Sequence, residues 1–193
     1  MADGRLLRHT LRMITYGALN RNSSIKPSWR TRLARPCSLY GLSCFAYTVV
    51  GLHSMALWLL CPQAIPEWPP HIAVPESFLV AVQGLWSFAS DVVHVGQPST
   101  FHVVDRVSAL VLVAAQLAKF CWLLPRSLSV AERAWIWGGL AIGIACKVGG
   151  FKAVISGGSA DFHRWHILWH LSLPLTFGAF HASRWHSCAV CGE

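Results

Sequence analysis

Read from its residues alone, this chain is an all-α integral membrane protein, a transmembrane bundle of about five spans behind a basic leading segment. Of 193 residues, 54% are hydrophobic and 12% charged, and the mean hydropathy is +0.45; a soluble domain is about 25% charged. The apolar residues gather into runs long enough for a helix to cross about 30 Å of hydrocarbon. They do not alternate with polar residues, which argues against a β-barrel. The expected organisation is a basic, flexible segment over residues 1–37, a transmembrane domain over 38–183 and a short tail over 184–193.

The leading segment holds Arg5, Arg8, Arg12, Arg21, Lys26, Arg30, Arg32 and Arg35, half of the 16 basic residues of a chain with net charge +8. Basic residues beside a first span hold that end on the cytoplasmic side and touch anionic lipid heads. Nucleic-acid binding explains this placement poorly. The rival reading is an organelle transit peptide, because the segment is Arg-rich, contains Ser23, Ser24 and Ser28, and has Asp3 as its only acid. The seven cysteines are an odd number lying mostly in or beside apolar runs, so no disulfide framework is implied. With no compact apolar stretch and small-residue cleavage site before residue 37, the first span is expected to act as its own insertion signal.

That span covers 40–61, without a charge, and stops at Pro62 before a loop containing Pro66, Pro69, Pro70 and Pro75. The second runs over 77–95 and carries Gln83, Asp91 and His94; the turn Gly96-Gln97-Pro98-Ser99 follows. The third covers 104–124, opening on Asp105 and Arg106. The fourth, 134–155, contains Lys147 and Lys152, which near a helix end reach the interface. The fifth spans 165–182, between Gly157-Gly158-Ser159 and Arg184. The loop after the first span has no Lys or Arg, so the N-terminus is expected inside and that loop outside. Spans two, three and five then bring Ser90, Asp91, His94, His102, Asp105, His166 and His170 to one depth at the inner side.

Ionisable groups in hydrocarbon are costly and mark functional sites. Helical spacing places Ser90 with His94, and His166 with His170, on common faces. Imidazole is the commonest zinc ligand, and a catalytic zinc takes three protein ligands and leaves a fourth position open. His94, His166 and His170 supply three, with His102 as the substitute for His94. Asp105 fits a general base or an acceptor behind the ligands, Ser90 a hydrogen-bond donor to a developing oxyanion, and Asp91 is a further polar group able to replace either.

In this order, Ser90-x-x-x-His94, Asp105 and His166-x-x-x-His170 followed by Leu171-Ser172 resemble the CREST superfamily of alkaline ceramidases, progestin and adiponectin receptors, Per1-like and TMEM8-like proteins. The matched stretches are about 85–110 and 162–175. The resemblance implies a membrane-embedded zinc with three His ligands and hydrolysis of a lipid amide or ester. It also implies seven spans, whereas the stretch between Asp105 and His166 has room for one span instead of three. The resemblance thus implies a CREST-like core reduced by two spans, with zinc as the expected cofactor and a membrane lipid as the expected partner. Two rivals stand beside the hydrolase: a non-enzymatic receptor or structural membrane protein with a structural zinc, and a haem-bearing electron carrier, since axial His is a common haem ligand. Cys188-Ala189-Val190-Cys191, near His181 and His186, is a weaker candidate metal site in the tail. The expected location is the ER, Golgi or plasma membrane, with a mitochondrial or plastid membrane as the alternative.

Overall fold

The computed structural model describes residues 29, 33, 35–62, 68–123 and 128–191, with only the backbone at 122–123 and 185–191. From Leu39 onward the described residues form five helices and no strand. Helix α1 (Leu39–Leu60) starts where the Ser38 side chain accepts the Gly41 N–H at 3.2 Å, satisfying one of the donors that a helix start leaves orphaned. It stops before Pro62, which cannot continue the ladder.

Helix α2 (Pro70–Phe88) runs on into a π-helical turn, Ala89–Val93. It begins earlier than the expected 77 because proline at the first helical position lacks only an N–H the helix would not use. Ser99 caps α3 (Thr100–Ala118), which also ends in a π turn, Lys119–Leu123. A capping box of Ser129 and Glu132 opens α4 (Val130–Ser156). Gly157, at φ +80°, closes it, with the Gly158 N–H returning to the Ala153 carbonyl at 2.9 Å. Helix α5 (Ser159–Cys191) is the longest.

Four helices are long and apolar enough to cross a membrane: α1, α2 with its π turn, α3 as far as Cys121, and α4. Large apolar side chains such as Leu52, Leu59, Val111 and Ile142 point outward from the bundle, as lipid-facing residues must. The more polar α5, with Asp161, Arg164 and Arg184, packs between α1 and α4.

Side-chain contacts give the directions. Gln83 meets Asp105 and Glu76 meets Lys119, so α2 and α3 are antiparallel. Thr48 donates to the Ala81 carbonyl at 2.8 Å, across an α1–α2 contact so close that a Cβ at Gly84 would stand 2.8 Å from the Cys44 carbonyl oxygen. Trp135 donates to the Thr176 carbonyl (3.0 Å) and Arg184 pairs with Glu132 (2.8 Å), making α4 and α5 antiparallel. Ser43 meets His170 and Ser54 meets His181, which sets α5 parallel to α1. The principal packing therefore runs α3, α2, α1, α5, α4, an arc whose two ends face each other across a crevice.

The core has two poles. One gathers Tyr40, Cys44, Val92, Val95, Ala153, Phe162 and Ile167, joined by Trp29 and Leu33. Trp29 packs on Phe162 with ring centroids 5.6 Å apart, so part of the leading segment expected to be flexible is docked on the bundle. The other pole gathers Trp58, Ala73, Phe120, Leu128, Ile136 and Phe180. There Glu76 receives Lys119 at 2.6 Å and the Trp68 indole N–H at 2.6 Å, with Gln116 as a third donor. A carboxylate and an ammonium inside the apolar layer are tolerable only as such a hydrogen-bonded pair.

Candidate metal centre

At the first pole three helices converge. Tyr40, Ser43 and Cys44 lie on one face of α1, three and four positions apart. Ser43 Oγ and Cys44 Sγ stand 3.3 and 3.5 Å from Nδ1 of His170 on α5. Nε2 of His170 is 3.5 Å from Asp91 Oδ2. Cys44, Asp91 and His170 each offer one ligand atom, and these atoms all lie within 4.8 Å of one another. All three residues are buried.

The π turn positions Asp91. The His94 N–H reaches back five residues to the Ala89 carbonyl at 2.9 Å, and this wider turn, of the kind often found at functional sites, buries Ser90, Asp91 and Val92 together. His166 Nε2 lies 2.9 Å from Asp91 Oδ2. The His166 ring packs between Tyr40 (5.0 Å) and Phe162 (5.1 Å), with its edge toward His170 (4.4 Å). The fully buried Tyr40 hydroxyl has no hydrogen-bond partner in the described structure.

His166, His170 and Asp91 thus come together as one unit. His94 does not join them: it lies in the turn after α2, its ring stacked on Phe101 at 5.4 Å. His102 is buried with both ring nitrogens engaged, Nε2 at 2.7 Å from the Gln97 carbonyl and Nδ1 at 2.8 Å from Ser90 Oγ. In a neutral ring Nε2–H then donates to the carbonyl and Nδ1 accepts from the serine. Ser90 Oγ also lies 3.3 Å from Asp91 Oδ1, so it sits between His102 and Asp91 instead of facing open space, its single hydrogen serving one of the two at a time.

Asp105 is not one of the three candidate ligands but lines the same crevice. Its Oδ1 accepts from Gln83 Nε2 at 2.7 Å and Ser87 Oγ at 2.5 Å, while Oδ2 takes no hydrogen bond within the described structure. Gln83 is itself held by Ser108. The crevice, about 1030 Å³, opens between α3 and α4 and reaches the largely buried Asp91, Asp105, His166 and His170, with Val107, Leu110, Val113 and Ile155 among its apolar lining. Cys44 is the member that sequence reasoning missed. Of the tail cluster, Cys188, Cys191 and His186 lie outside the described side chains, and His181 is hydrogen-bonded to Ser54.

No protein-family model matches this chain, and no curated protein or solved structure is significantly similar to it.

Proposed function

We propose that this integral membrane protein binds zinc through Cys44, Asp91 and His170 and hydrolyses an amide or ester of a membrane lipid, as a shortened relative of the CREST proteins. The observation that carries the reading is a buried Cys/Asp/His group whose Asp91 and His170 also line a largely apolar crevice. Thiolate, carboxylate and imidazole are the ordinary zinc donors, and the unpartnered Tyr40 hydroxyl near this group fits a polar ligand there. A zinc ion held there would supply Lewis-acid polarisation of a carbonyl and activation of a water.

The chain's own residues divide the remaining work. His166 orients Asp91 through its Nε2–H, as hydrogen-bonded partners orient metal-binding side chains. Asp105, aimed by Gln83 and Ser87, keeps Oδ2 for the proton that a hydrolysis must move. The apolar walls between α3 and α4 receive an acyl chain and keep bulk water out.

A second reading, a structural zinc clamping the bundle, is favoured by the origin of the donors on α1, α2 and α5 and by the burial of all three. The two readings separate in one experiment. Zinc is measured in detergent-purified protein and in the Cys44→Ala, His170→Ala and Asp105→Asn variants, with turnover of a ceramide and a phospholipid followed in parallel. Hydrolase function predicts about one zinc per chain, as a three-ligand site requires, its loss in the first two variants, and retained zinc without turnover in Asp105→Asn. Zinc content indifferent to Cys44→Ala and His170→Ala overturns the site, as does a haem absorption band. Zinc without lipid turnover leaves the clamp.

A further inference from the structure

Two lysines sit deep in the bundle, and the protein treats them differently. Lys119, buried at the second pole, is bonded to Glu76 at 2.6 Å and flanked by the Trp68 and Phe120 rings. Lys147 on α4 lines the crevice instead, and no carboxylate of the described residues lies within salt-bridge distance of its ammonium. That ammonium lies over the Trp169 ring, 5.0 Å from its centroid. The charges of Asp91 and Asp105, on the same lining, reach it through space. Both carboxylates are hydrogen-bonded elsewhere, Asp91 with His166 and Asp105 with Gln83 and Ser87.

Lys147 also stays at depth instead of reaching for the interface as its place in the sequence suggested. Along the α4–α5 contact, a Cβ at Gly149 would meet Trp165, and one at Gly143 would meet Ser172 and Leu173. Trp169 falls between these levels, so an ammonium over its ring keeps the depth of its own stretch of α4. At 1.5 Å per residue that is about 14 Å from the Ser156 end of the helix, nearly half of the roughly 30 Å of a hydrocarbon layer. A lysine held there is costly and marks function.

The crevice selects what such an amine meets. An anionic ligand is a poor occupant, because two carboxylates already line the space and an anion is itself costly at this depth. A neutral carbonyl enters without that cost, and the lysine amine is the side chain that forms Schiff bases with carbonyl compounds. The surrounding walls include Leu110, Val113, Phe151, Val154 and Ile155, so the rest of the ligand is a hydrocarbon chain. We propose that Lys147 captures a long-chain aldehyde in the crevice between α3 and α4 as a protonated Schiff base, with Asp105 as its counter-charge. The carbonyl C=O bond breaks and a C=N bond forms. Two ammonium hydrogens leave with the carbonyl oxygen as water, the third remains, and the positive charge stays on nitrogen, so no oxidant or reductant is consumed. This activity goes beyond the hydrolysis proposed above and does not depend on it, since Lys147 is not among the metal donors.

The test incubates detergent-purified protein with hexadecanal, reduces any imine to a stable secondary amine with borohydride, and locates the adduct by peptide mass spectrometry. Lys147 should be modified at least about tenfold faster than Lys26, Lys119 or Lys152, a modest advantage for an amine positioned beside a bound carbonyl. Propanal, too short to use the apolar walls, should show no such preference, and hexadecanol should slow labelling of Lys147 alone. Val113→Trp, which narrows the crevice, should slow labelling of Lys147 and leave that of Lys26 unchanged in protein that keeps a cooperative thermal transition. Even labelling of the four lysines overturns the proposal, as does an inert Lys147 or a preference that propanal shares. Protection of Lys147 by hexadecanoate at lower concentrations than by hexadecanol reveals an anion site and overturns it as well.

Discussion

His166 holds Asp91 at 2.9 Å from behind the Cys44, Asp91 and His170 group, so its substitution should change the strength of metal binding more than its capacity. We expect His166→Gln to weaken zinc affinity about 10–100-fold, the usual effect of removing a partner of a ligating carboxylate, while zinc content at saturation stays that of the wild type. Competition titration against a chelator measures this, and an unchanged affinity would exclude His166 from the site. The pairing of His166 with His170 was legible because an uninterrupted helix keeps residues four apart on one face. The same logic fails for Ser90 and His94, since it assumes 3.6 residues per turn. The π turn at Ala89–Val93 breaks that register and the chain leaves helical geometry at His94. Cys44 was illegible for another reason: a thiol in an apolar run reads as a small packing residue, and only the shared face of Tyr40, Ser43 and Cys44 hints otherwise.

Helix existence was readable from apolar runs, but helix ends were not. Ser99 and the Ser129–Glu132 box extend α3 and α4 beyond the apolar stretches that suggested them, because capping acts on backbone donors regardless of hydropathy. Close contact between α1 and α2 was equally hidden, since it depends on which glycine meets which backbone. At Gly84 a Cβ would crowd the Cys44 carbonyl and the Thr48 backbone nitrogen at 2.8 and 2.9 Å, so any side chain there must push α2 off α1. Small residues are what permit such approaches within membranes. Gly84→Val should therefore lower the thermal transition and cut zinc content together, because it moves the helix bearing Asp91 away from the one bearing Cys44. Parallel calorimetry and metal analysis would show this, and normal zinc in a destabilised protein would contradict it.

At the scale of the whole chain, the sequence-based orientation predicted that polar groups from separate spans share one depth, and Asp91, Asp105, His166 and His170 do line one crevice. That convergence was legible because alternating helix directions are forced by crossing a membrane; the order of the helices around the arc was not, because outward-facing leucines look alike on every span. The orientation itself can be measured. Single-cysteine proteins keeping only Cys37 or only Cys61, which flank α1, should react with an impermeant maleimide from opposite sides of sealed vesicles, and labelling from one side would refute a membrane-crossing α1. A last consequence follows from the seating of α3. Before its π turn only His102 is fully buried, its principal neighbour is α2, and it contributes none of Cys44, Asp91 or His170. Like a door hung on a single jamb, it borders the crevice from one side only, and the three candidate donors all come from other helices.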